Sequence, residues 1–174
     1  MILMARRDAG IIRSFLREKM DINAKVADFS IQDDSGKTVH LKDFAGKPVV
    51  LFFYPKADTP GCTIEACGFR DQFKKLQSSG AVVLGISRDT PQAQKKFREK
   101  YDLPYPLLAD VDEKVSNQFG VLKEKNMYGK KVMGIERTTF LIGPDQKLLK
   151  IFPKVKPEGH AEEVLAAIQG LPSK

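Results

Sequence analysis

Apolar and polar positions fall into a regular order once the chain passes residue 20. Val49-Val50-Leu51-Phe52-Phe53-Tyr54 is an unbroken apolar run rich in β-branched and aromatic residues, closed by Pro55. Such a run reads as a strand buried on both faces, as in a parallel sheet. Cys62, Ala66, Phe69, Phe73 and Leu76 recur at steps of four and three, which is one face of a helix running to about Ser79. Gly80 follows as a C-terminal stop. Ala81 to Ser87 is a second buried strand. Residues 49–87 therefore form a βαβ unit with parallel strands and a right-handed crossover.

Weaker signals complete the order. Phe29-Ser30-Ile31 and Thr38 to Leu41 are strand candidates about the turn cluster Asp33-Asp34-Ser35-Gly36. Thr90-Pro91 starts a helix to about Tyr101, with Pro in the first turn. Leu107 to Ala109 is a short strand, and Asp112 begins a brief helix to about Phe119. Arg137 to Ile142 and Lys147 to Phe152 flank Gly143-Pro144-Asp145-Gln146 as a β-hairpin, and Glu158 to Leu171 carries an amphipathic helix. Strand and helix alternating in this way specify an α/β fold, a central sheet flanked by helices in a single domain. The domain is expected to span residues 21–174, with residues 1–20 an extension.

Composition narrows the class. With 174 residues, 42% hydrophobic and 29% charged, the chain matches an ordinary globular protein. Two cysteines exclude a disulfide scaffold. No run approaches the ~18 apolar residues of a membrane-spanning helix, so no membrane partner is expected. The net charge is +7, and residues 1–20 supply +3 of it through Arg6, Arg7, Arg13, Arg17 and Lys19 against Asp8 and Glu18. The other lysines read as dispersed among acids, so nucleic acid is not expected as a partner. The first 20 residues lack a secretory pattern. They read as an extension without catalytic importance, Met4 or Met20 being alternative starts, with organelle targeting the lesser alternative to a cytoplasmic location.

Cys62 falls at the start of a helix, just beyond the carboxyl end of a buried strand. Ligands of open α/β sheets bind at that end, and the unpaired N–H groups of a helix N-terminus favour a thiolate. A reactive thiol and a small core residue are both consistent with its position. Cys67 lies five residues on. In a regular helix that is a rise of roughly 7.5 Å and a Cα separation of about 8–9 Å, beyond the ~7 Å a disulfide spans. If these thiols ever bond, the helix must unwind. The spacing is not Cys-x-x-Cys, and two cysteines with the scattered His40 and His160 make no zinc site. Both histidines read as ordinary surface or cap residues.

The segment Tyr54-Pro55-Lys56-Ala57-Asp58-Thr59-Pro60-Gly61-Cys62-Thr63-Ile64-Glu65-Ala66-Cys67 closely resembles the active-site segment of the peroxiredoxins, specifically the peroxiredoxin Q or bacterioferritin comigratory subfamily. The resemblance runs over about residues 23–170 and includes Leu107-Leu108-Ala109-Asp110 and Glu136-Arg137-Thr138-Thr139-Phe140-Leu141-Ile142. It implies a thioredoxin-like fold with a mixed sheet, and thiol-dependent reduction of hydrogen peroxide and organic hydroperoxides. By the same resemblance Cys62 is the peroxidatic cysteine, which becomes a sulfenic acid, and Cys67 is the resolving cysteine, which closes an intramolecular disulfide. Thr59 supplies a hydroxyl to the peroxide and thiolate, Pro55 shields the pocket, and Arg137 stabilises the developing negative charge. Glu65 either joins a network with an arginine or lies on a solvated helix face.

The resemblance further implies a dithiol reductant such as thioredoxin and no metal or organic cofactor. A monomer is expected in preference to a dimer. Ala57 stands where the family often has an acid. The competing reading is a non-enzymatic redox sensor or relay that uses the same cysteines.

Overall fold

The computed structural model describes residues 20–171; the expectations placed on residues 1–19 lie outside them. Seven strands form one mixed sheet: β1 Ser30–Asp33, β2 Thr38–His40, β3 Val49–Phe53, β4 Val82–Ser87, β5 Leu107–Ala109, β8 Thr138–Ile142 and β9 Leu148–Phe152, in the order β2-β1-β5-β4-β3-β8-β9. β3 lies parallel to β4, and β4 to β5, while β8 runs antiparallel to β3 and β9 antiparallel to β8. The expected parallel pairing of residues 49–53 and 82–86 is present, with Val49 opposite Val82 and Phe53 opposite Ile86. Two strands the sequence did not announce, β6 Leu122–Met127 and β7 Lys130–Ile135, form a separate antiparallel hairpin.

Every residue of β3 is buried. Successive side chains of a strand point to opposite faces, so this strand feeds two cores. Val50 and Phe52 pack with Cys62, Ala66, Phe69, Phe97 and Tyr105 on one face. Val49, Leu51 and Phe53 pack with Phe119, Val121 and Phe140 on the other. Stacked rings of Phe52 and Phe69, with centroids 4.6 Å apart, tie the sheet to the helix that follows β3.

The helices are α1 Pro60–Asp71, α2 Phe73–Ser78, α3 Pro91–Lys100, α4 Lys114–Gln118 and α5 His160–Gln169. The single helix expected to run to about Ser79 is thus two, divided at Gln72. The predicted face is nonetheless continuous across the break, with Cys62, Ala66, Phe69 and Leu76 buried and Phe73 partly so. Thr90 caps α3 by accepting from the Ala93 amide, with Pro91 in the first turn as the sequence indicates. Residues 23–26 pair with the first residue of β9 and the turn before it, through backbone bonds to Leu148 and Gln146.

The expected even scatter of lysines does not hold everywhere. The β6–β7 hairpin carries Lys123, Lys125, Lys130 and Lys131 against Glu124, together with exposed Met127, Tyr128 and Met133. Among the described residues no helix is long and apolar enough to cross a membrane.

Candidate active site

The site lies where β3 gives way to α1. Tyr54 still donates its backbone N–H to Ile86, extending the β3–β4 pairing by one residue. Pro55 then ends the strand. The loop that follows is pinned by the Ala57 amide, which donates to the Asp89 carboxylate at 2.8 Å. Asp58 takes a left-handed backbone (φ 58°), a conformation aspartate tolerates better than most residues. Thr59 occupies the N-cap position with extended dihedrals, and Pro60 opens the helix. Cys62 therefore stands in the first turn of a 12-residue helix, among amides without helical acceptors. It is 1% exposed and packs against the sheet.

Thr59 does not cap α1 with its side chain. Its hydroxyl donates to the Lys56 carbonyl at 2.8 Å, closing the loop on itself. Pro55 is half-buried and lines a surface recess with Lys56, Arg88, Asp89 and Glu113.

Arg137 arrives from across the sheet. Its backbone is held on both sides, by the Val155 amide bonding its carbonyl and by the Glu136 amide bonding Val121. Its guanidinium donates to Glu65 Oε1 at 2.9 Å. A side chain on Gly61 would meet the Arg137 Nη2 at 3.0 Å, so the guanidinium lies against the turn that holds Cys62. Burial pulls the Arg137 guanidinium down, but the charge and hydrogen bond of Glu65 outweigh it and hold it above the ordinary arginine value.

Glu65 is a buried carboxylate, so the solvated-face reading is corrected: its side chain has no exposure. The reason is helical spacing, because residue 65 is three from Cys62 and four from Phe69 and falls within the same inward stripe. Burial pushes its carboxyl up to about 7, with Arg137 opposing. Its second oxygen, Oε2, has no hydrogen-bond partner among the described residues and lies 4.0 Å from His160 Nε2.

His160 is likewise not the surface or cap residue expected. It is 3% exposed, its Nε2 is 2.8 Å from the Thr139 hydroxyl and its Nδ1 3.0 Å from Glu163. Burial lowers its pKa against the pull of Glu163. Arg137 is hydrogen-bonded to Glu65 and His160 to Thr139, and 4.0 Å separates Glu65 from His160, so β8, α1 and α5 meet around the Glu65 carboxyl. The helical spacing of Glu65 from Cys62 and Phe69 is the signal that could have placed it, where its charge left a solvated face open. His160 carried no sequence signal beyond its position at the start of α5.

Cys67 lies on the same helix, half-buried, and both cysteines are free thiols. Since α1 is helical through both, the separation follows helical geometry, about 8–9 Å between Cα atoms. Burial pushes the Cys67 thiol up, partly offset by Arg70. The structure thus gathers Cys62, Gly61, Glu65 and Arg137 at one point, with Thr59 at the N-cap position just ahead of that turn and Cys67 further along. Among the described residues no group of three His, Cys, Asp or Glu could hold a metal ion.

The profile of the AhpC/TSA family matches residues 22–151. A protein from Coxiella burnetii called putative peroxiredoxin bcp is 48% identical over 149 residues, 86% of this chain and 99% of that protein. Among solved structures, a peroxiredoxin Q variant from Xylella fastidiosa superposes with a TM-score of 0.82 at 36% identity, covering 86% of this chain and 96% of that one. A Xanthomonas campestris bacterioferritin comigratory protein, solved in work on its alkyl peroxide reduction activity, gives 0.78 at 41% identity, covering 81% and 90%.

Proposed function

This chain belongs to the AhpC/TSA family and is a peroxiredoxin, a thiol-dependent peroxidase, and on that premise we propose that Cys62 is its peroxidatic cysteine and Cys67 its resolving cysteine. The observation that carries the assignment is the Arg137 guanidinium lying against Gly61 and bonded to Glu65, at the helix turn that holds Cys62.

The Cys62 thiolate attacks the terminal oxygen of a hydroperoxide. The sulfur–oxygen bond forms, the oxygen–oxygen bond breaks, and the alkoxide or hydroxide leaves to take a proton from water. Arg137 faces the negative charge as it moves from sulfur to the leaving oxygen; a fixed guanidinium suits both ends of that path. Thr59 orients the peroxide through its hydroxyl once that group turns from Lys56. Pro55 shields the entrance.

Resolution follows on α1. The Cys67 thiol attacks the Cys62 sulfenic sulfur, a disulfide forms and water leaves. A dithiol reductant of the thioredoxin kind then restores both thiols and is itself oxidised to a disulfide. With both cysteines on one helix no second subunit is needed, which suits a monomer. Hydrogen peroxide and organic hydroperoxides are both assigned as substrates, the latter supported by the Xanthomonas relative. A reducing compartment such as the cytoplasm suits the cycle. Residues 21–174 are the peroxidase unit, and residues 1–20 an extension to it.

A reduced Cys62 that is 1% exposed favours small oxidants over protein partners, which weighs against the relay reading. The test is one equivalent of peroxide followed by peptide mass spectrometry. A 62–67 disulfide in the wild type and a dimedone adduct on Cys62 in Cys67→Ser support the assignment. An unmodified Cys62 in both contradicts it.

A further inference from the structure

The helix that carries both cysteines is fastened on one side to a single short segment. Tyr105, 1% exposed, donates its hydroxyl to the Ala66 carbonyl at 2.6 Å. That carbonyl lies inside α1, between Cys62 and Cys67, and the helix ladder already uses it. Three residues past Cys67, Arg70 donates to the Tyr101 carbonyl at 2.8 Å. Ahead of the helix, Asp58 accepts from Lys100 Nζ and from the Tyr101 hydroxyl, each at 2.9 Å. The stretch Lys100–Tyr105 thus grips the chain before Cys62, between the cysteines and after Cys67.

The gripping segment is itself rigidly mounted. Arg98 bonds the Leu103 carbonyl at 3.1 Å and pairs with Asp34 at 3.2 Å, and Asp34 in turn accepts from the Leu107 amide in β5. The Tyr105 ring meets Phe52 edge to face, with centroids 5.7 Å apart. When α1 unwinds, the Tyr105 hydroxyl is left in the core without its acceptor. A buried donor without a partner costs free energy, which the closed helix avoids.

We propose that Lys100–Tyr105 is a latch on α1, with Tyr105 the positioning residue that sets how often the turn between Cys62 and Cys67 opens. The inference rests on the reading of these cysteines as the reacting pair. Opening frequency then fixes the lifetime of the Cys62 sulfenic acid. A slow latch leaves that acid exposed to a second peroxide, which oxidises it to the sulfinic acid while being reduced to water or alcohol. A fast latch delivers it to Cys67.

Tyr105→Phe keeps the ring and removes the bond to Ala66. Tyr101→Phe removes only the bond to Asp58 and spares the core, so it serves if the first variant folds poorly. Amide hydrogen exchange on the reduced full chain reads the latch without any disulfide chemistry. Tyr105→Phe is expected to speed exchange across residues 62–70 roughly two- to tenfold, the range a single net hydrogen bond spans. Sheet amides of β3 and β4 keep their protection. Rapid-quench mass spectrometry is expected to show the 62–67 disulfide forming faster by a similar factor, with less sulfinic acid at a given peroxide dose and an unchanged rate of Cys62 oxidation. Tyr101→Phe gives a smaller local increase centred on residues 58–62.

Unchanged exchange across residues 62–70 in both variants overturns the latch. So does an equal rise across the sheet, since Tyr105 is then an ordinary core residue. If the wild type forms no 62–67 disulfide, the resolving role of Cys67 falls instead, and exchange still decides the latch.

Discussion

Arg137, the residue before β8, donates to Glu65 in the second turn of α1 at 2.9 Å. Neither group has much exposure, at 16% and 0% for the side chains. The pair therefore fixes the guanidinium against the turn that carries Cys62. Removing the charge with Arg137→Met is expected to lower kcat/KM for peroxide about 10²–10³-fold, the range for losing one preorganised donor to a developing oxyanion. Arg137→Lys keeps the charge but loses the planar fork, so it recovers only part. Stopped-flow oxidation of Cys62 measures both.

Gly61 separates activity from stability. A methyl group there meets the Arg137 Nη2 at 3.0 Å, and the guanidinium must move. Alanine also favours the helix over glycine by up to about 1 kcal/mol. Gly61→Ala is expected to hold or raise the urea midpoint while reducing kcat/KM roughly tenfold, of the order a small misplacement of a positioned group produces. A loss of stability with full activity contradicts the placement of Arg137.

Thr59 gives a similar contrast. Among the described residues its hydroxyl bonds only the Lys56 carbonyl, at 2.8 Å, and it does not cap α1. Thr59→Val is expected to lower stability by no more than about 1 kcal/mol and peroxidase kcat/KM by about 10²-fold. Thr59→Ser is expected to retain most activity. Denaturant melts and peroxide kinetics on the two variants check this together.

Glu65 makes stability depend on pH. Its carboxyl titrates at about 7 in the fold, chiefly through burial, against an ordinary value of 4.5. Between those values the folded chain holds a proton that the unfolded chain releases. Its contribution is therefore complete below about pH 4.5 and is lost as pH rises through 7, by up to about 3 kcal/mol. His160, lowered by burial from 6.5, acts in the opposite sense and loses stability as pH falls below 6.5. The difference between wild type and Glu65→Gln isolates the first effect. Urea melts from pH 5 to 8 are expected to show the variant gaining on the wild type as pH rises. A constant difference contradicts the titration of Glu65.

Much of this site was readable before folding. The unbroken apolar run of β3 and the stripe of Cys62, Ala66, Phe69 and Leu76 report burial directly, because hydrophobic periodicity is itself the signal of a buried face. Glu65 lay in that stripe, and its charge argued for solvent where its spacing argued for the core. The β6–β7 hairpin left almost no signal, for its strands bury only Ile135. Its turn, Tyr128-Gly129, has positive φ at both residues, the geometry of a two-residue hairpin loop that glycine favours. Arg137, His160 and the Tyr105 bond to Ala66 join residues 39 to 95 positions apart from their partners in the helix. Local pattern carries no information on such pairs; the resemblance supplied Arg137 and nothing supplied the others.

Cys67 is expected to be a sluggish thiol while α1 stays closed, since burial raises its pKa. In Cys62→Ser, alkylation of Cys67 by iodoacetamide should run slower than that of a free cysteine peptide at neutral pH. It should continue to accelerate with pH after the peptide has levelled off. An alkylation profile identical to the peptide contradicts a closed helix around Cys67.

The central claim is that Cys62 performs the peroxide reduction. Peroxide consumption in excess dithiothreitol, measured on the wild type and on Cys62→Ser at equal concentration, tests it most directly. The wild type is expected to consume many equivalents per chain and Cys62→Ser none above the reductant alone. Consumption by Cys62→Ser at a rate close to the wild type would contradict the account.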